Sequence, residues 1–132
     1  MKIKATLTNR FQQHQIQLQT NEDVKTLQLP SKASGYGSAF NGGELLLLAL
    51  ATCYCNDLYR EAAKRSLTLE EVEVLVTADF GAEGEPGSDF QYHARVSSSA
   101  SAEEIEDLLQ HTDRVAEIHN TLRRGVSITL TT

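Results

Sequence analysis

Residues 41–53 read NGGELLLLALATC, and the chain continues over residues 54–65 as YCNDLYREAAKR. The Asn-Gly-Gly step at the start is typical of a turn, and neither proline nor glycine interrupts the residues after it. Leucine, alanine, glutamate and arginine are good helix formers. This stretch therefore predicts one long helix, from about Gly43 to about Arg65, on which the rest of the domain is built.

The predicted helix has two unlike sides. Successive residues turn by about 100° around a helix axis. On one side of the predicted helix this places a mostly apolar stripe: Leu48, Ala51, Cys55, Leu58, Tyr59 and Ala62. Cys53 lies opposite, in the sector of Asp57 and Arg60. Because their Cβ atoms point apart, the two cysteines cannot form a disulfide while the helix is intact. Cys55 is expected in the core, whereas Cys53 stands where an apolar wall meets a polar face and fits an inert or a reactive thiol equally well.

The remaining elements are read from shorter patterns. Period-two alternation predicts three strands before the helix, two after it and one at the end of the chain, where Val126, Ile128 and Leu130 alternate. Ser101 and Glu104 fit a capping box that opens a short helix, and Gly125 is expected to end a second one. The order β-β-β-α-β-β-α-α-β, with strands grouped as hairpins, predicts an α+β fold.

Composition narrows the functional classes. The chain has 132 residues and a net charge of −6, which predicts a single domain over residues 1–132 and no nucleic-acid partner. Apolar runs are too short to span a bilayer, so no membrane partner is expected either. Two cysteines separated by Tyr54 make no disulfide framework, and a cytoplasmic location is expected. No metal or cofactor is expected, and His119 is interpreted as a hydrogen-bonded interface histidine.

Two blocks of the sequence resemble the OsmC/Ohr family of osmotically inducible and organic hydroperoxide resistance proteins. The first runs from Asn41 to Cys53 and on through the strand that begins at Val72, and the second is VAEIHNTLRRGVSI, residues 115–128. The likeness covers nearly the whole chain. It implies an OsmC-like fold, with antiparallel sheets packed on a long central helix, and an intertwined homodimer.

The resemblance also implies a site. It places the peroxidatic cysteine, which attacks a hydroperoxide, at Cys53. The resolving cysteine of the family would stand at Ala116, so this chain lacks it. The helper arginine is assigned to Arg10, the arginine of the early strands, and the helper glutamate to Glu44, which is one residue late for the family pattern.

Two functions follow as alternatives. One is a thiol-dependent peroxidase with one cysteine, which reduces organic hydroperoxides under oxidative stress and is recycled by an external thiol reductant. It requires a positive charge near Cys53, because an ordinary thiol has a pKa of about 8.5. The other is a non-catalytic OsmC-like dimer that binds a small apolar ligand. Whether the chain is an enzyme is left open by the sequence.

Overall fold

The computed structural model describes residues 1–131, so Thr132, the last residue of the expected domain, lies outside the described residues. The chain divides into two compact units, of which the first is Met1–Leu45 and the second begins at Leu46. Each unit has its own sheet.

The first unit is a three-stranded antiparallel sheet in the order β1-β2-β3, with β1 at Ile3–Arg10, β2 at Gln13–Thr20 and β3 at Asp23–Leu27. The turns between the strands are tight. Gln12 and Asn21 stand in them with φ of 55° and 52°. Both polar side chains tolerate or support such turn geometry better than branched apolar ones do. The expected three strands before the helix are therefore present.

The long helix α1 spans Gly42–Lys64, one residue from the predicted start and one from the predicted end. Its beginning is fixed by a reciprocal pair of hydrogen bonds. The backbone amide of Glu44 donates to Asn41 Oδ1 at 2.7 Å, and the backbone amide of Asn41 donates to Glu44 Oε1 at 3.0 Å. This capping box satisfies two amides that would otherwise lack an intrahelical partner.

The second unit packs helices on a hairpin. After α1 come β4 at Leu69–Asp79 and its antiparallel partner β5 at Ser88–Ser98, followed by α2 at Ala102–Val115 and α3 at Glu117–Arg124. The core side chains come from α1, β4, α2 and the α2–α3 junction: Tyr54, Leu58, Ala62, Leu69, Leu108 and Ala116. The capping box of Ser101 and Glu104 and the end of α3 at Gly125 are both as predicted. The fold is α+β, with antiparallel sheets and a central helix.

The buried side of α1 differs from the predicted stripe. Leu58 and Ala62 are buried as expected, but Leu48 and Tyr59 are 58% and 43% exposed, while Asp57 and Glu61 are buried. The buried sector is thus rotated by about a quarter turn. The pattern treated carboxylates as solvent-facing, but Arg60 and Lys64 pair with these two and make their burial tolerable.

The predicted last strand is wrong. Residues 125–131 form no strand in the described part of the chain, and Ile128 and Leu130 are 91% and 90% exposed. The alternation of apolar residues is real, but a strand exists only where a neighbour completes its hydrogen bonds.

A search of the helices within residues 1–131 finds none with the length and apolar character that crossing a membrane requires.

Candidate functional site

Cys53 lies at one edge of the buried side of α1. It is half-buried and packs against the core cluster, and its sulfur donates a hydrogen bond to Asp57 Oδ2 at 3.7 Å, one turn further along the helix. Arg60 in turn contacts Asp57 Oδ1 at 2.8 Å and lies 3.8 Å from Glu117 of α3. The sulfur therefore touches a carboxylate directly, and a guanidinium lies on the far side of that carboxylate.

This arrangement makes Cys53 a weaker acid. Burial raises the pKa of its thiol, and the negative charges of Asp57 and Glu117 raise it further, while a backbone hydrogen bond from Ile118 works in the opposite direction. A protonated thiol is a poor nucleophile, because the thiolate is the reactive form. Burial and the neighbouring Glu117 also raise the pKa of Asp57, although Arg60 lowers it.

Cys53, Asp57 and Glu117 are also a possible cation site. One ligand atom from each lies within 4.8 Å of the other two. Among residues 1–131, this is the cluster of three metal-ligating side chains that are close enough to share an ion. A thiolate and two carboxylates suit a divalent metal. Arg60 contacts both carboxylates, however, at 2.8 Å and 3.8 Å, so a metal ion would compete with its guanidinium for them. The expectation that no metal binds is not tested by this geometry.

Cys55 was predicted to lie in the core, but it does not. It is half-buried at the other edge of the buried side of α1, and it lines a shallow groove with Ala51, Asn56 and Val74. The reason is the rotation of the helix described above, which moves the position of Cys55 from the centre of the buried side to its margin. Both cysteines are free, as their opposed directions predicted.

A cavity of about 490 Å³ opens on the same side of α1 as Cys53, one and two turns earlier along the helix. The cavity lies wholly within the second unit and its wall is mostly apolar: Leu46, Leu50, Val76, Gly87, Phe90, Gln91, Tyr92, His119, Leu122 and Arg123. Its volume falls in the range of pockets that bind small molecules, and such pockets combine apolar walls with a few polar groups.

His119 is the buried titratable residue of this wall. It is only 5% exposed, and neither ring nitrogen has a hydrogen-bond partner among residues 1–131. Its ring packs at 4.6 Å from Tyr92 and 5.7 Å from Tyr54, measured between ring centroids. Burial lowers the pKa of His119, with a smaller contribution from Arg123, so the ring is neutral at pH 7. Both ring nitrogens are thus unpaired within the described part of one chain, and the expected interface hydrogen bond of His119 stays a prediction.

Two charged side chains near His119, those of Arg123 and Asp113, neutralise each other. Arg123 Nη2 lies 2.6 Å from Asp113 Oδ1, and the hydroxyl of Tyr92 donates to the same carboxylate. These contacts lower the pKa of Asp113 despite its burial, so the carboxylate stays ionised. The hydroxyl of Tyr54 donates to the backbone oxygen of Leu109 at 2.8 Å, and burial is the main cause that raises its pKa to about 12. Both tyrosines are neutral.

Comparison with protein families decides the affiliation of the chain. A model of the OsmC-like protein family matches residues 35–131. The chain belongs to the OsmC-like family. A search of curated protein sequences gave no significant match.

Solved structures of OsmC-like proteins share the fold. An OsmC-like protein from Mycoplasma pneumoniae is 22% identical with a TM-score of 0.62, over 93% of this chain and 89% of that one. An organic hydroperoxide resistance protein OsmC from Legionella pneumophila, also described as a predicted redox protein, is 20% identical with a TM-score of 0.56, over 89% of both chains. An OsmC-like hydroperoxide resistance protein from Jannaschia sp. CCS1 is 16% identical with a TM-score of 0.57, over 96% and 87%.

The other residues assigned through the OsmC resemblance have clear local positions. Ala116, which the resemblance places at the position of the resolving cysteine, is fully buried at the junction of α2 and α3. Glu44 is occupied in capping α1. Arg10 ends β1 opposite Gln13 and is exposed. Glu44 and Arg10 belong to the first unit, and their assistance to Cys53 stays a prediction.

Proposed function

We propose that this OsmC-like protein binds a small apolar molecule in the cavity of its second unit. The observation that carries the proposal is the cavity itself, about 490 Å³ with a mostly apolar wall. The acidity of Cys53 supports the same choice. Its thiol is paired with a carboxylate and its pKa is raised, whereas a peroxidatic cysteine needs the opposite shift.

A fluorescent, uncharged apolar probe, N-phenyl-1-naphthylamine, tests this function. We expect saturable binding of one probe per chain, which Val76→Trp abolishes because the indole fills the cavity. Leu75→Trp is the matched control, since Leu75 is the neighbouring residue of β4 and is exposed rather than part of the cavity wall. Equal binding by both variants, or no saturable binding by the wild type, would contradict the proposal.

The second candidate function is the one-cysteine peroxidase. Two observations favour it: Cys53 is only half-buried, and a backbone hydrogen bond from Ile118 favours the thiolate. The Legionella and Jannaschia relatives, which bear hydroperoxide resistance in their names, are consistent with it. In this reaction the thiol of Cys53 loses its proton, and the thiolate attacks the terminal oxygen of the hydroperoxide. An S–O bond forms to give the sulfenic acid, the O–O bond breaks, and the departing alkoxide takes up the proton that the thiol lost and leaves as an alcohol. An external dithiol then reduces the sulfenic acid to the thiol, releases water and is itself oxidised to a disulfide.

Consumption of tert-butyl hydroperoxide with dithiothreitol separates the two functions. The peroxidase predicts turnover by the wild type and by Cys55→Ser, and none by Cys53→Ser. The binding function predicts that the wild type consumes the hydroperoxide no faster than Cys53→Ser does.

The proposal includes the oligomeric state and the cellular location of the protein, whichever function holds. A homodimer is supported by the exposed side chains of Leu48 and Tyr59 on α1 and by those of Ile128 and Leu130 beyond α3, because large exposed apolar surfaces are rare on monomers. A cytoplasmic location is supported by the two free cysteines.

A further inference from the structure

The cavity wall also contains polar side chains, and these indicate which polar group the ligand carries. Buried polar side chains in proteins are hydrogen-bonded in the great majority of cases, because a buried donor or acceptor without a partner is costly. His119 departs from this rule twice, since both its ring nitrogens are buried and without a partner among residues 1–131. His119 lines the cavity, but its nitrogens have almost no accessible surface, so a ligand bonds to them only when the ring turns toward the cavity; that bond would remove the cost.

The charge of the site indicates an uncharged ligand group. His119 is neutral at pH 7, and the positive charge of Arg123 is neutralised by Asp113 at 2.6 Å. An anionic head group would lose its hydration on entering the apolar cavity and would find no uncompensated positive charge there. A cationic group would meet Arg123 in the wall and a carboxylate that is already bonded to Tyr92.

The hydrogen-bonding pattern of a neutral imidazole indicates which uncharged polar group the ligand carries. One ring nitrogen carries a proton and donates, and the other accepts. A hydroxyl group suits either nitrogen, since it can donate to the unprotonated one or accept from the N–H. A ketone or ether only accepts, and so would suit only one of the two tautomers.

We propose that the cavity ligand is an alcohol or phenol, an uncharged molecule whose hydroxyl group bonds to the ring of His119 while its hydrocarbon body contacts Leu50, Phe90 and Leu122. This inference rests on the proposed binding function and specifies its ligand class. His119 is then the residue that selects a hydroxylated ligand over a plain hydrocarbon.

Three probes of matched size test the assignment on the full chain: 4-propylphenol, propylbenzene and 4-propylbenzoate. We expect 4-propylphenol to bind about tenfold more tightly than propylbenzene, equivalent to about 1.4 kcal/mol, and 4-propylbenzoate to bind most weakly. In His119→Phe the preference for the phenol is lost. In His93→Phe, an exposed position of β5, it is kept.

A spectroscopic measurement on the wild type keeps the test independent of how the variants fold. The ¹⁵N resonances of the His119 ring should shift on addition of 4-propylphenol, because a new hydrogen bond forms, and should move much less with propylbenzene. Equal affinity for these two probes, with unchanged ring resonances, would overturn the hydroxyl assignment and leave the apolar binding function standing. Tightest binding of 4-propylbenzoate would overturn it in favour of an anion. Binding of none of the three would overturn the binding function as well.

Discussion

The acidity of Cys53 depends on a small set of side chains, and Asp57 is the one within direct reach of its sulfur. The thiol shares the buried margin of α1 with that carboxylate, so ionisation of Cys53 would place two negative charges on successive turns of one helix. Arg60 is engaged by Asp57 itself and by Glu117. Coulomb repulsion and burial thus act in the same direction on the thiol.

Asp57→Asn should lower the pKa of Cys53, because it removes a negative charge and releases part of Arg60 from neutralisation. The measurement is the pH dependence of alkylation by iodoacetamide in a Cys55→Ser background, where Cys53 is the only thiol. We expect the rate at pH 7 to rise several-fold.

Asp107→Asn serves as the control, since Asp107 pairs with Arg65 on the surface and makes no contact with the thiol. An unchanged or slower rate for Asp57→Asn would show that Asp57 does not suppress the thiolate.

His119 should make the stability of the protein depend on pH. Its pKa is lowered in the folded protein from the ordinary value of 6.5, so the unfolded chain binds the proton more readily. Stability therefore rises with pH between the lowered folded-state pKa and about 6.5, and is lost as the pH falls through that window. We expect urea unfolding to show a smaller difference between pH 7.5 and pH 5.5 in His119→Gln than in the wild type.

The exposed His93 supplies the comparison, because His93→Gln retains every buried titratable group. Identical pH dependence in the two variants would mean that His119 is not the group responsible.

The start of α1 illustrates how a single element is held. Asn41 and Glu44 exchange hydrogen bonds across the first turn, and loss of such a cap typically costs about 1 kcal/mol. We expect Asn41→Ala to lower the free energy of unfolding by about that amount. Glu44→Gln should change it much less, because glutamine can form the same reciprocal bond.

Chemical denaturation measures both, with Asn56→Ala in the exposed middle of α1 as the reference. Should Glu44→Gln destabilise as strongly as Asn41→Ala, the ionised carboxylate would have a role beyond capping.

The elements themselves were largely predictable from the sequence, whereas the side of α1 that is buried was not. Alternation and capping residues act locally, so the five strands β1 to β5, the bounds of α1 and the capping box at Ser101 could be read directly. The burial of Asp57 and Glu61 depends on partners, including His111 of α2 for Glu61, and their positions are set only by the tertiary fold. For the same reason Cys55 was placed in the core.

At the scale of the whole molecule, exposed apolar side chains predict self-association. Leu48 on α1 is 58% exposed, and an aspartate there would place a charge in the interface of the proposed homodimer. We expect Leu48→Asp to shift the protein from dimer to monomer in sedimentation velocity experiments. Ala102→Asp introduces the same charge at an exposed position of α2 and should leave the dimer intact.

A monomeric wild type would contradict the homodimer, and a Leu48→Asp variant that still forms dimers would exclude this face of α1 from its interface. The failed strand prediction belongs to this scale too. Residues 126–131 have the alternation of a strand, but nothing in a single chain's sequence states whether a neighbouring edge is available to pair with them.

The guanidinium of Arg60 has one further implication. It contacts the carboxylates of Asp57, Glu61 and Glu117, and Asp57 also accepts a hydrogen bond from the sulfur of Cys53. Two amide replacements, at Asp57 and Glu117, would remove two negative charges near the thiol and leave Arg60 paired with Glu61 alone. Each of these replacements needs a single base change. Two such changes would therefore favour the thiolate of Cys53, and with it sensitivity of this protein to oxidants.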